Sequence, residues 1–491
     1  MIASALESGL DWGTKLNNND SFVFYHFYGY GETTPFGEVS SGFSDYEKTQ
    51  FEKALAVYSS YIDLHFHEVS QSAQADYNLL TFAEFSSTLG MMYPPGETER
   101  AGFGYFNYAG SGWDWTNPGN GGLEQGGFGF VTIIHELGHG FGLAHPHDKG
   151  GDSTVFPGVS SAFDDYGDYD LNQGIYTTMS YNAGWQTNPD GLPPSLSYGY
   201  QGTPMALDIA VLQEKYGANN AYNTGDDTYY LPTSNGVGTF YSCIWDAGGT
   251  DAIVYGGAAP ALIDLRAATL KVEPGGGGFL SHADGIHGGV TIANGATIEN
   301  ATGGTGDDFL QGNDVGNVIK GHGGDDIING ADGRDKLIGH GGDDEISGGQ
   351  GRDGLIGGRG ADSLIGDSGR DTLNGRNGAD DLTGGGGRDR FEFSSKLRSG
   401  NVDTVNDFAP GKDTFLLSKH AFKGIGGKGK LDKDAFVTGS KAKDGADRII
   451  YDKDTGAVGF DKDGEGGNGI KTFAVVEAGL DLKHDDFVVV A

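Results

Sequence analysis

The segment Val131-Thr132-Ile133-Ile134-His135-Glu136-Leu137-Gly138-His139-Gly140-Phe141-Gly142-Leu143-Ala144-His145-Pro146 holds the residues best placed to do chemistry. His135 and His139 stand four apart, so on a helix their imidazoles leave one face and can share a metal ion. Glu136 lies beside that pair. Gly142 permits the left-handed conformation that ends a helix and turns the chain back, which brings His145 round as a third ligand. Three neutral imidazoles on zinc leave a fourth position for water, whose pKa falls to about 7 in such sites. Glu136 then acts as general base toward that water and passes the proton to a leaving amine. A structural zinc site is usually closed by a fourth protein ligand, commonly Cys, and the single cysteine, Cys243, is about a hundred residues away.

The elements that must position this set are a mixture of strands and helices. Ser21-Phe22-Val23-Phe24-Tyr25-His26-Phe27 alternates as a strand. Ser44 with Glu47 forms an N-terminal capping pair, and Phe51, Ala54, Leu55, Tyr58 and Tyr61-Ile62 follow at helical spacing. An α+β catalytic domain is expected over residues 19–220, preceded by a lead or propeptide remnant at 1–18. From about Tyr222, short apolar runs punctuated by Gly, Asn and Asp replace the helices, which places a boundary near residues 217–224.

Composition narrows the classes. The 491 residues carry a net charge of -36, which repels phosphate backbones and argues against nucleic-acid binding; divalent cations and basic ligands are the expected partners. Residues 1–220 hold 26 acidic and 6 basic side chains, so more than half of the excess lies in the catalytic domain. An acidic surface there points to a salty habitat or to basic substrates. At 37% hydrophobic residues the chain has material for a core and for two or three domains. One Cys makes no intrachain disulfide, and Cys243 reads as a small buried residue. Met1-Ile2-Ala3-Ser4-Ala5 lacks the basic and apolar regions of a Sec signal, and no run is long enough to span a membrane.

Glycine is concentrated: residues 303–391 hold 28 of 89. Within that stretch Asp308, Asn317, Asp326, Asp335, Asp344, Asp353, Asp362, Asp371, Asp380 and Asp389 recur every ninth residue, each followed two places on by an apolar residue, from Leu310 to Phe391. Glycine stands two places before each, at Gly306, Gly324, Gly333, Gly342, Gly351, Gly360, Gly369, Gly378 and Gly387, with Val315 the exception. This is the nonapeptide repeat of the RTX parallel β-roll, in which glycine turns and aspartates hold calcium between successive turns while the apolar residue points inward. A disordered linker has no reason to keep an apolar residue in phase.

The extended histidine motif resembles the metzincin metalloproteases, and Tyr176-Thr177-Thr178-Met179-Ser180-Tyr181 is similar to the Met-turn of the serralysin family. The resemblance implies that Met179 forms a floor under the metal. It also implies that Tyr181 is an additional zinc ligand at rest that moves off to stabilise the tetrahedral intermediate. Leu10-Asp11-Trp12 looks like the family's mature start. Ala101-Gly102-Phe103-Gly104-Tyr105-Phe106 looks like an edge strand that binds extended substrate through main-chain hydrogen bonds, the alternative being a core strand. The resemblance further implies calcium ligation by side chains of Asp227, Asp246, Asp251 and Glu299 and by the backbone of Asn223, Gly225, Gly248 and Thr297. In the repeats it implies Gly304, Gly306, Asp308, Gly321, Gly324, Asp326, Gly333, Asp335, Gly342, Asp344, Gly351, Asp353, Gly360, Asp362, Gly369, Asp371, Gly378, Asp380 and Asp389.

The chain departs from that pattern in places. Asn223 stands where the family commonly has Arg, which changes little for a backbone ligand. His147 stands where a small residue is usual, either on the rim or behind the ligands or simply solvated. Asp461, Asp463, Glu465 and Gly466 faintly resemble an EF-hand loop, but Thr472 occupies the place of its bidentate Glu and excludes that reading. The tail Asp485-Asp486-Phe487-Val488-Val489-Val490-Ala491 is similar to the terminus that type I exporters recognise, and its alternative is a final β-strand.

Together these features predict an α+β metzincin-like catalytic domain, an all-β parallel RTX β-roll at 221–395 and a C-terminal β region with a type I secretion signal at 396–491. The expected activity is that of a secreted, monomeric zinc endopeptidase with one catalytic zinc and several structural calcium ions, acting on polypeptides without stable membrane insertion. A calcium-dependent RTX adhesin with an inactive protease-like domain is the alternative. A different RTX enzyme such as a lipase is the weakest candidate, since the chain has no G-x-S-x-G elbow.

Overall fold

The Ser44 hydroxyl accepts the N–H of Glu47, whose carboxylate returns to the Ser44 N–H, and this reciprocal cap starts α2, Asp45–Tyr61. The computed structural model describes residues 4–16, 21–84, 87–96, 98–114, 121–464 and 469–491. Among these the chain is mostly β with few helices. It divides into two compact units: residues 1–227, 231–251 and 266–298, and residues 228–230, 252–265 and 299–491.

In the first unit, α1 (Ala5–Leu10), α2, α3 (Phe128–Gly140) and α4 (Ala206–Tyr216) accompany a five-stranded sheet. Its order is β2 (His65–Glu68), β1 (Phe22–Phe27), β3 (Tyr77–Phe82), β5 (Phe103–Asn107), β4 (Gly90–Met92), with only β4 antiparallel. Phe51, Ala54, Leu55 and Tyr58 bury one face of α2, and the Tyr58 hydroxyl donates to the Ile134 carbonyl of α3 at 2.5 Å. Nearly every residue of α3 is buried, histidines included. No helix among the described residues is long and apolar enough to cross a membrane.

The strand expected over residues 101–106 forms at Phe103–Asn107, but it is not an edge. It lies between β3 and β4 with all five residues buried, so its hydrogen-bonding groups are already taken. The edge on this side of the sheet is β4, and the opposite edge is β2.

The repeat region of the second unit is a parallel β-roll, while strands in its C-terminal part also pair antiparallel. Ile319, Leu337, Leu355, Leu373 and Phe391 stack in register on one sheet, and Leu310, Ile328, Ile346, Leu364 and Leu382 on the facing one, none more than 1% exposed. That burial supplies the core a Gly-rich segment otherwise lacks. The roll continues into Asp403–Val405 and Thr414–Ser418. The tail forms the strand Phe487–Val490, paired in parallel with Thr414–Ser418 with Phe487 and Val489 buried. Of the loop at 461–466, Glu465 and Gly466 lie outside the described residues. Met1, Ile2 and Ala3, and residues 17 and 18 of the N-terminal lead, do too.

Candidate active site and metal centres

Helix α3 carries His135 and His139 on one face, and the chain reverses after it at Gly142, whose φ is +83. Any other residue there would carry the strain of that φ and would push a β-carbon against the Thr14 carbonyl. The reversal delivers His145, so that its Nε2 lies 3.2 Å from Nε2 of His135 and 3.0 Å from Nε2 of His139. The other ring nitrogens are all held: His135 Nδ1 by the Thr178 carbonyl at 2.8 Å, His139 Nδ1 by the Leu143 carbonyl at 2.9 Å, and His145 Nδ1 by the Asp148 carboxylate at 2.9 Å. With Nδ1 acting as donor in each, three Nε2 lone pairs face one point, the arrangement of an imidazole-bound metal. Burial pushes the His135 and His139 imidazoles down to about 3 and His145 to about 4, which keeps the rings in the neutral, metal-binding form.

Glu136 is buried next to this cluster. Burial pushes its carboxyl up to about 8 against a hydrogen bond from the Met92 backbone of β4. Strand β4 approaches so closely that a β-carbon at Gly90 would lie 2.7 Å from Glu136 Cγ. A cavity of about 420 Å³ opens here, lined among others by Gly90, Val131, His135, Glu136, Phe163 and Tyr181.

Met179 is fully buried beneath α3, close enough that a β-carbon at Gly138 would stand 2.8 Å from its sulfur. Tyr181 packs 4.7 Å from the His145 ring and 4.6 Å from His147, measured between centroids. Burial, with the charges of Glu136 and Asp148, pushes its phenol up to about 12. His147 stacks on His145 at 4.9 Å, so it is partly buried and not a solvated surface residue. Trp12 meets the His139 ring edge-on at 6.4 Å. Ala101 and Gly102 precede β5, and Phe103, Gly104 and Tyr105 lie within it.

Two residues outside the motif complete the support. Asp208 of α4 is wholly buried and accepts the Thr177 hydroxyl at 2.6 Å, the Thr178 N–H at 2.7 Å and hydroxyl at 2.9 Å, and the Met205 N–H at 2.9 Å. Asp148 orients His145. Sequence spacing gave no signal for Asp208; a lone Asp inside an apolar helix was the available hint.

The calcium expectations fall into groups. Asp227, Asp246 and Asp251 bring ligand oxygens within 4.8 Å of one another. Asn223 beside them has a φ of 46, Gly225 and Gly248 occupy the adjoining turns, and the Gly248 N–H donates to Asp246. Thr297 is exposed in the first unit, whereas Glu299 belongs to the second, where its carbonyl accepts from Asn317. In the roll, Oδ1 of each repeat aspartate from Asp326 to Asp389 accepts the N–H of the residue eighteen earlier. Oδ2 of Asp326, Asp335, Asp344, Asp353, Asp362, Asp371, Asp380 and Asp389 is buried with no hydrogen-bond partner. An orphaned buried carboxylate oxygen is costly unless a cation takes it. Asp308 differs: its two oxygens accept from Ala261 and Gly304. Cys243 is buried as expected.

Comparison with known proteins gives the family. The family model described as Peptidase M10 serralysin C terminal matches residues 211–489. The chain is 32% identical over 297 residues to a serralysin of Proteus mirabilis, covering 56% of each. It is 30% identical over 300 residues to metallopeptidase AprA of Pseudomonas marginalis, covering 57% of each. It is 31% identical over 332 residues to serralysin C of Dickeya chrysanthemi, covering 63% of this chain and 62% of that one. The chain thus spans somewhat over half the length of the relatives it matches.

Proposed function

The chain belongs to the serralysin family of M10 metallopeptidases, and from that premise we propose that it is a secreted, zinc-dependent, calcium-requiring endopeptidase. The observation that carries this reading is the convergence of two buried imidazoles and a third, partly buried one next to a buried carboxylate. His135, His139 and His145 would hold the zinc, with Tyr181 as a further ligand and Met179 supporting the site. Zinc bound there supplies Lewis-acid polarisation of a carbonyl and a water acidified to about pKa 7.

The chain's own groups do the rest. Glu136, raised by burial, takes the proton of the attacking water on a carboxylate oxygen and returns it to the leaving nitrogen. Tyr181, held protonated by its raised pKa, donates a hydrogen bond to the substrate oxygen as negative charge develops on it. The free edge of β4, Gly90–Met92, pairs with the substrate main chain, which implies loose sequence preference.

The orphaned aspartate oxygens, with the Asp227/Asp246/Asp251 group, fit several calcium ions. Extracellular calcium modules bind at about 10⁻⁴ to 10⁻³ M, so the roll folds once exported through a type I machinery. The reading keeps a lead at 1–18, a catalytic domain at 19–220, the roll at 221–395 and the terminal region at 396–491, acting as a monomer on polypeptides. The adhesin alternative is not favoured, because the histidines, Glu136 and Tyr181 stand together intact.

Metal analysis of the purified chain with casein digestion tests the proposal. One zinc per chain and cleavage abolished by a chelator are expected; cleavage that survives complete zinc removal overturns it.

A further inference from the structure

The repeat puts opposite charge on the two edges of the roll. On one edge the residue before the repeat aspartate is Asp307, Asp325 or Asp343, then Ala361 and Ala379. On the other it is Arg334, Arg352, Arg370 or Arg388, and Lys412 before Asp413 continues the row.

The backbone fixes this row. The Asp335 N–H donates to Asp353 Oδ1 at 2.9 Å, Asp353 to Asp371 at 2.9 Å, Asp371 to Asp389 at 3.1 Å and Asp389 to Asp413 at 3.0 Å. A second parallel ladder runs beside it, pairing Asp332–Gly333, Gln350–Gly351, Ser368–Gly369 and Gly386–Gly387. Successive cations are therefore one strand spacing apart, roughly 4.8 Å. All five are exposed, and none forms an ion pair among the described residues. Carboxylates at these turns have partners of their own: Asp332 accepts from the Gln350 amide at 2.9 Å, Asp367 from the Ser347 hydroxyl at 2.5 Å, and Asp407 from the Gly384 and Gly385 N–H groups at 2.8 and 2.6 Å. Arg390, partly buried beside the inward-pointing Phe391, feels the row: burial first, then the charges of Arg370 and Arg352, pull its guanidinium below the usual range.

Like charges directly opposite one another in a sheet are unfavourable. A guanidinium takes a carboxylate in a bidentate pair, and a row of them at constant spacing matches a chain whose carboxylates also recur regularly. We propose that this edge of the roll binds a linear polyanion bearing carboxylates, of the acidic-polysaccharide class. Nucleic acid fits less well: the turns that bear the row, 330–335, 348–353, 366–371 and 384–389, contain no aromatic side chain to stack a base. The net charge of -36 also repels a wide, densely charged duplex, while a thin chain touches the basic edge alone.

The test measures binding of a galacturonate oligomer to the full chain in millimolar calcium. Three proteins are compared: the native chain, the ladder variant with Arg334, Arg352, Arg370 and Arg388 each changed to Gln, and a control with Lys423, Lys428, Lys430 and Lys433 each changed to Gln, which loses the same charge. The proposal expects salt-sensitive binding that the ladder variant weakens by about tenfold or more and the control by less than about twofold. Equal binding by the native chain and the ladder variant overturns it, as does an equal loss in both variants. Tighter ladder-dependent binding of single-stranded poly(dT) overturns the polysaccharide assignment. Should the ladder variant lose its calcium-dependent melting transition, the double variant Arg352→Gln/Arg370→Gln decides by the same comparison, with about a threefold loss expected.

Discussion

Asp208 on α4 accepts both the N–H and the hydroxyl of Thr178, and the carbonyl of that same threonine accepts Nδ1–H of His135. A buried carboxylate is thereby connected through one residue to a metal-binding imidazole. Four donors converge on its two oxygens, which offsets the cost of burying the charge.

Changing Asp208→Asn replaces one acceptor oxygen by a donor in that converging set. The turn carrying Met179 loosens and His135 loses its fixed orientation. Stability should fall by about 1–3 kcal/mol, and zinc affinity by about 10–100-fold. Thermal melting and competition with a chromogenic chelator measure the two effects; an unchanged zinc affinity would show that α4 supports the fold without orienting the ligand.

In the proposed mechanism Gly90 is the point where the substrate edge meets the base. Gly90→Val places a β-carbon 2.7 Å from Glu136 Cγ, so the carboxylate must move. Zinc content should stay at the native level while kcat falls by about 10²-fold or more, the scale of a mispositioned general base. Native kcat in this variant would remove β4 from the site.

The roll should respond to acid in an unusual direction when calcium is removed. Burial, with repulsion between neighbouring aspartates, raises Asp326, Asp335, Asp362 and Asp371 to about 7 and Asp344 to about 6. In the unfolded chain aspartate titrates near about 3.9. The folded roll therefore holds more protons than the unfolded one, and their stabilisation, complete below about pH 4, is lost as pH rises through about 7. In excess chelator, where the roll is largely unfolded at pH 7, its folded fraction should climb as pH is lowered to 5, and millimolar calcium should abolish the trend by taking the protons' place. A flat profile or a decline in chelator contradicts the assignment of these oxygens to cations.

Local spacing carried the parts of this molecule that local spacing can encode. The i, i+4 histidines, the Gly142 reversal and the ninefold phase of the aspartates were legible because each is written within a few residues. The order of strands was not, since pairing partners are set by long-range packing: Phe103–Asn107 has the pattern of a strand but nothing in it states that Gly90–Met92 covers its outer side. Asp208 escaped for the same reason, its partners lying about thirty residues away across a turn. The first compact unit likewise takes in the separate stretches 231–251 and 266–298, because parallel pairing of Tyr241–Ile244 with Gly289–Ile292 is invisible to composition.

In the proposed mechanism Glu136 moves the proton while the histidines hold the metal. Glu136→Gln keeps the side chain's size and leaves the three Nε2 atoms in place, so the variant should bind one zinc per chain with native affinity and lose casein hydrolysis by about 10²–10⁴-fold. Zinc-loaded Glu136→Gln protein that cleaves casein at the native rate would contradict the account.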